Sequence, residues 1–431
     1  MISLYTSIAF SLINLFQASA ASDAKTLRME DWEYENKVKS VLMVQSNSDE
    51  RFPLIGLNKA NALMVTFDVL EAENDYFQYA IVHCDKNWKK SSLNQTDFLK
   101  GNMFEEISNF KQSSNTYVQY THYTFSFPGA KMMPRLAGNY ILKVYRNYDE
   151  EDLIFTRRFM VLNSKVKLTG SVNSATNVDK RFSHQEVDFR IDATGFVMPN
   201  PFQDLHGIIL KNYSWMHASQ PLKPQFSNSN VYTFNYEREN VISGVNEFRF
   251  FDSRGLRTFA SGVKSKYYDT ATNQMVINLF RDQCRGGKTY LYWQDNNGKP
   301  VYGNRDLPNV SISEDYLRVN FSIQPNALFS EGDRLFVLGD FNNWKPSPET
   351  EMIKDGKGIF RTSFSLKQGY HNYLYCIMDK NGKITFDVTE GEHMATENDY
   401  RVLVYHKNQF LQYDELIGFM FLNSLNARKK E

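Results

Sequence analysis

Tyr117-Val118-Gln119-Tyr120-Thr121-His122-Tyr123-Thr124-Phe125-Ser126-Phe127 is the stretch that decides the fold class. It carries Tyr and Phe on both of its alternating faces, with Thr and Ser between them, and no helical spacing. Aromatic and β-branched side chains suit a pleated, half-buried surface, so this run reads as a long strand. Runs of the same kind lie on either side. Residues 62–69 (ALMVTFDV) and 76–82 (YFQYAIV) precede it, and 139–145 (NYILKVY) and 159–162 follow. Gly, Pro, Asn and Asp punctuate them at short intervals, the pattern of a β-sandwich. Helical periodicity of useful length is missing; the best candidate, 93–108, is short and interrupted by Gly101.

Working outward, a second group of strand signals starts near Lys165: 166–168, 186–191 (EVDFRI), 207–211, 231–236 and 246–251 (NEFRFF). Residues 264–271 are polar and read as a link or hairpin. A third group begins at Gln274 and includes 275–280, 289–292, 316–323 (YLRVNFSI), 335–338, 358–365, 370–378 and 400–405. Asn297-Gly298 and Asn381-Gly382 supply the positive φ of tight turns at low cost. The groups are not copies of one another, so this is not a repeat array. The expectation is an all-β chain of three tandem immunoglobulin-like (E-set) β-sandwiches, over residues 28–164, 165–272 and 273–425.

Composition agrees. A chain of 431 residues exceeds the roughly 250–300 at which a single core stops growing. Its 15% aromatic content leans toward strands. Lys+Arg and Asp+Glu are equal at 49 each, which leaves no electrostatic footprint for nucleic acid. Residues 1–22 contain no Lys, Arg, Asp or Glu, and an apolar stretch over 8–16 leads to Ala18-Ser19-Ala20. That is a secretory signal over 1–20, with an uncleaved anchor as the alternative. The three cysteines, Cys84, Cys284 and Cys376, are too few and too scattered for a disulfide scaffold, and read as small buried hydrophobes.

No catalytic constellation emerges. The eight histidines show no metal spacing, and GxSxG, P-loop and strand-borne GxGxxG motifs are absent. His83-Cys84-Asp85 resembles a base beside a nucleophile, but adjacent strand residues point to opposite faces. Arg281-Asp282-Gln283-Cys284-Arg285 reads as a solvated loop. No cofactor and no metal ligand is expected.

Phe336-Val337-Leu338-Gly339-Asp340-Phe341-Asn342-Asn343-Trp344, continued by Lys367-Gln368-Gly369-Tyr370, resembles the glycogen-binding modules of starch-active enzymes. In that likeness Gly339 lets the backbone turn, Phe341 fills the core and Trp344 is a sugar-stacking platform. The second platform Trp is not there; Lys383-Ile384-Thr385-Phe386 stands in its place, and Leu374 or a neighbour stands where a Lys is expected. An exported glycan-binding module is the alternative function on this ground.

A wider, ordered set covers nearly the whole chain. It comprises His83-Cys84-Asp85 with Trp88, Tyr120-Thr121-His122-Tyr123, Ala137-Gly138-Asn139-Tyr140 and Thr156-Arg157-Arg158-Phe159. His184-Gln185-Glu186-Val187-Asp188-Phe189, Asn246-Glu247-Phe248-Arg249-Phe250-Phe251-Asp252, Thr396-Glu397-Asn398-Asp399-Tyr400 and Asp414-Glu415-Leu416-Ile417-Gly418 complete it. In this order the segments resemble the type IX secretion system plug proteins of Bacteroidota. The resemblance implies a non-enzymatic periplasmic protein, peripheral to the outer membrane. It would seal the inner opening of the translocon pore protein as a monomer within a hetero-complex. It assigns no catalytic, cofactor or translocon-contact residue.

Overall fold

The structure is a computed structural model that describes residues 25–426, apart from 47, 49, 72–74, 258–259, 308–311 and 326–328. The signal expected over 1–20 lies outside the described residues. The chain is all-β: among the described residues, two α-helical turns of four residues, Gln95–Phe98 and Pro201–Asp204, accompany its strands and short 3-10 turns. The first falls inside the helical candidate 93–108, which otherwise forms the short strands Leu99–Gly101 and Glu105–Ile107.

Two sheets build the N-terminal sandwich. One orders Trp32–Glu33, Asp149–Leu162, Gly138–Arg146, Phe77–Cys84 and Glu105–Ile107, with Leu54–Gly56 parallel on the second strand. The other orders Val38–Gln45, Leu63–Leu70, Tyr120–Phe127 and Phe110–Gln112. The aromatic run that decided the fold class lies at the centre: Phe67 stacks on Tyr123 at 4.9 Å and meets Phe77 and Phe155 edge-on. The strand starts at Tyr120 rather than Tyr117. The Tyr117 and Val118 amides donate instead to the Asp315 carboxylate, at 2.9 and 3.1 Å, so their hydrogen bonds leave the ladder.

The middle sandwich pairs a five-stranded sheet, built on Lys167–Ser174 and His184–Asp192, with a sheet of Leu205–Lys211, Asp399–Asn408 and Tyr413–Asn423. Its core stacks Phe189 on Phe234 at 4.4 Å under Tyr400, Val402, Val404 and Ile417. The last hairpin of the chain therefore completes this sandwich, Leu205 facing His406 and Lys211 facing Tyr400.

The third unit is an eleven-stranded curled sheet, in which Gly369–Met378, Arg334–Gly339, Phe360–Lys367 and Tyr316–Gln324 enclose Phe251, Phe321, Val337 and Tyr373. Arg249–Asp252 joins it by pairing with Gly369–Met378, and the polar stretch 264–271 becomes the strand Val263–Asp269, paired with Gln274–Leu279. Strand pairing thus crosses the divisions drawn at 272/273 in both directions. Alternation shows that a face must be covered, not which strand covers it. Residues 289–292 form no strand.

Two apolar seams fuse the units. Val82, Cys84, Ile141 and Met160 on the outer face of the first sandwich pack on Ile208, Leu210, Leu403, Tyr405 and Leu416 of the second. This explains why Phe77–Cys84 is buried along its whole length instead of alternating. A second seam joins Val245, Phe248 and Met216 to Phe336, Leu338, Leu374 and Cys376.

Candidate functional site

Trp344 sits inside that second seam, 6% exposed. Its ring meets Phe248 edge-on at 5.0 Å, and its backbone amide donates to the Gly339 carbonyl at 2.9 Å. No open ring face is left for a sugar to stack on. Leu374 and Phe386, at the other two positions that matter for sugar binding, are buried in the same cluster. The loop is instead a packing corner. Phe341 reaches Phe364 at 5.2 Å, as a core residue should. Gly339 has an extended φ of −166°, so its role is not a special turn. A Cβ there would lie 2.3 Å from the Phe341 ring, and the close approach is what requires glycine.

His83 and Cys84 face opposite sides of their strand. His83 meets the rings of Tyr140, Tyr413 and Phe98, while the Cys84 thiol approaches the Met29 sulfur at 3.8 Å. Burial pushes the His83 imidazole down to about 4 and the Cys84 thiol up to about 12. A thiol so far from ionisation is a packing group, not a nucleophile. Asp85 binds the Asn87 and Lys89 amides of its own turn at 2.9 and 2.8 Å. Among the described residues, no His, Cys, Asp or Glu group is arranged to hold a metal ion, and no helix is long and apolar enough to cross a membrane.

The polar chemistry concentrates between the units. Asp68, within the apolar run of the first sandwich, faces the third unit. It accepts from Lys367 Nζ at 2.7 Å and Tyr316 Oη at 2.7 Å, and its other oxygen lies 2.6 Å from His122 Nδ1. Burial opposes its charge, but Lys367 and His122 hold the carboxyl below its usual range. A second knot lies inside the third unit and joins Arg249 to Glu390 at 3.1 Å and to Asp282 at 2.7 Å, with Arg285 Nε on Glu390 at 2.7 Å. Tyr373 and Tyr375 hydroxyls donate to Asp282 at 2.9 and 2.8 Å. The 281–285 stretch is therefore not a solvated loop: Asp282, Cys284 and Arg285 are built into the interior. Arg401, 1% exposed, spans the rings of Phe52 and Tyr213 and lies 3.6 Å from Glu50. One cavity where the units meet, beside Arg51, Arg157, Asp340 and Lys345, holds about 100 Å³, too little for an ordinary organic ligand, and a more open hollow of about 430 Å³ lies between the first and third units beside Thr66, His122, Tyr302 and Lys367.

Sequence reasoning missed Asp68, Lys367, Arg249 and Glu390. The available signal was a lone charge inside an apolar run, which is expensive unless its partner waits across an interface. The exposed chemistry is aromatic. Tyr76, Phe110 and Tyr148 surround a hollow of about 260 Å³ at the open edge of the first sandwich, between the edge strands Glu105–Ile107 and Phe110–Gln112.

Residues 38–163, nearly the whole of this first sandwich, match the family model described as the type 9 secretion system plug protein 1st domain. This part of the chain carries a domain of the type IX secretion plug family. The plug-family domain is thus the unit that carries the aromatic hollow and the Asp68 contact. No curated protein matches the chain. Among solved structures, it is similar to a hypothetical protein from Parabacteroides merdae, with 24% identity, a TM-score of 0.86, and coverage of 92% of this chain and 100% of that one. That likeness shows a shared fold along almost the full length. A match to trypsin-activated alpha-2-macroglobulin from Escherichia coli has 9% identity, a TM-score of 0.17, and coverage of 90% and 28%, and carries no argument.

Proposed function

We propose that this protein is a non-enzymatic plug that binds and closes the periplasmic opening of the outer-membrane type IX translocon. The plug-domain match over residues 38–163 carries the reading. The architecture supports it. A stopper must resist deformation, and here apolar seams and the buried Asp68–Lys367 pair join the sandwiches into one block. Exposed Tyr and Phe on the plug domain are the residue types that anchor protein interfaces. The protein would act in the periplasm, peripheral to the outer membrane, as a monomer held by its pore partner and without a cofactor. With equal numbers of basic and acidic residues, long-range steering contributes little, and association rests on shape complementarity and slow release.

Deleting the gene should leave the outer membrane permeable to large solutes at unchanged levels of the secretion apparatus. Affinity purification of the tagged chain from native membranes should recover the pore protein. An impermeable deletion strain, together with failure to recover the pore, overturns the proposal.

A further inference from the structure

The hollow at the open edge of the plug-family domain has a chemistry that its sandwich core does not require. Tyr76 is 70% exposed, and Phe110 and Tyr148 are each 57% exposed, although they line the same hollow as the core ring Phe77. Specific contacts fix them there. The Asn147 amide donates to the Tyr76 carbonyl at 2.8 Å, and the Tyr148 amide donates to the Gln78 side-chain oxygen at 2.7 Å. The Tyr148 hydroxyl donates to one Glu106 carboxylate oxygen at 2.6 Å, and Phe104 meets the Tyr148 ring edge-on at 5.9 Å. Phe110 lies against Tyr123 at 5.7 Å.

The charge around these rings is negative and only partly matched. Residues 104–107 (FEEI) and 148–152 (YDEED) meet at the rim, and they hold six acids and no Lys or Arg. Glu150 is paired with Lys143 at 2.5 Å, and Asp152 with Lys25 at 2.6 Å. At the floor, Asp75 lies 3.2 Å from Arg146 and 3.9 Å from Lys37. Among the described residues, Glu105, Glu106, Asp149 and Glu151 have no cationic partner within 4 Å. The one cation of the edge strand Phe110–Gln112 is Lys111. It alternates with Phe110 and Gln112 and lines the hollow beside His122 instead.

We propose that this hollow receives a Lys or Arg side chain from an extended segment of a partner protein that lies along the edge strands. The exposed rings offer their faces to a cation, and Glu106 keeps its second carboxylate oxygen for it. A volume of about 260 Å³ falls below the range of ordinary small-ligand pockets but takes a single long side chain. Glu105–Ile107 and Phe110–Gln112 are each the last strand of their sheet, so the same rim offers backbone pairing to such a segment. The inference does not rest on the plug reading, because any protein that brings a cation on an extended chain satisfies it.

Calorimetric titration of the full chain tests it. The probe is the blocked peptide acetyl-Thr-Val-Arg-Val-Thr-amide, compared with the same peptide carrying citrulline or Glu in place of Arg. Citrulline keeps the shape of the side chain and removes its charge. At low salt the Arg peptide should bind about tenfold more tightly than the citrulline peptide, the sum of a cation–π contact and an exposed ion pair. The Glu peptide should bind more weakly still, and the Arg preference should shrink in high salt. Glu106→Gln with Tyr76→Ser should abolish the preference at an unchanged melting temperature, because both side chains stand in water. Phe182 is an exposed aromatic of the middle sandwich, and Phe182→Ser should leave the preference intact. A wild-type chain that binds none of the peptides, or binds the citrulline or Glu peptide as tightly as the Arg peptide, overturns the proposal. So does a Glu106→Gln, Tyr76→Ser variant that keeps the preference.

Discussion

Replacing Lys367 by Met tests whether the buried charges hold the plug domain to the third unit. The Lys367 and Asp68 side chains are 6% and 1% exposed and meet at 2.7 Å. Removing one partner of such a pair strands the other charge in the interior and costs about 3–5 kcal/mol. Tyr316 still donates to the same oxygen, and His122, more exposed, remains on the other. The expected loss is therefore at the lower end, about 3 kcal/mol. For a cooperative unit of 150–250 residues, that lowers the melting midpoint by about 6–12 °C. The sign of the pH dependence follows from the depressed Asp68 carboxyl. Its stabilisation is fully present above the unfolded value, near 3.9, and is lost as pH falls through the folded one. In Lys367→Met that carboxyl rises toward neutrality, so the deficit should shrink as the buffer approaches pH 4. Differential scanning calorimetry of wild type, Lys367→Met, Asp68→Asn and the double variant gives the coupling directly. The double variant should recover at least half of the single-variant loss, since Asn can still bond Tyr316 and His122. If Lys367→Met melts with the wild type, or if the double variant is no better than the single, the pair does not clamp the two units.

Trp344→Ala should destabilise by about 3–5 kcal/mol in denaturant unfolding, the cost of emptying a buried aromatic site, and glucan pull-down should retain neither form; retention by wild type alone would restore the sugar-platform reading. Gly339→Ala places a methyl 2.3 Å from the Phe341 ring and should cost about 1–3 kcal/mol, whereas a stability equal to wild type would show that the corner has room. His83 has both ring nitrogens buried without a partner and is pushed down to about 4, so the unfolded chain takes up its proton first as pH falls below the usual 6.5. Stability is thus drained between pH 6.5 and about 4, and His83→Met should flatten that limb by up to about 1.4 kcal/mol per pH unit. An unchanged slope in melts across this range would show that His83 does not titrate there.

Much of this protein is readable from local pattern. The strands around Phe67, Tyr123 and Leu142 announce themselves by aromatic and β-branched runs between turn residues, and their sandwich follows from those runs. The inertness of His83-Cys84-Asp85 follows from the two-residue period of a strand, which separates adjacent side chains in any sheet. The core role of Phe341 was implied by the likeness to glycogen-binding modules, and its ring does pack on Phe364. Tertiary structure decided what covers what. The run at Tyr400–Tyr405 reads as a strand wherever it sits, and only the folded chain places it beside Leu205–Lys211, far back along the sequence. Trp344 has the composition of a platform and the position of a core residue, because Phe248, from a distant segment, closes over its ring. Asp68 looks like a misplaced charge until Lys367 arrives from the third unit. Hydrophobic alternation is a property of neighbours in sequence and needs only a face to bury. The identity of the burying partner is set by packing between residues hundreds of positions apart, which local pattern does not encode.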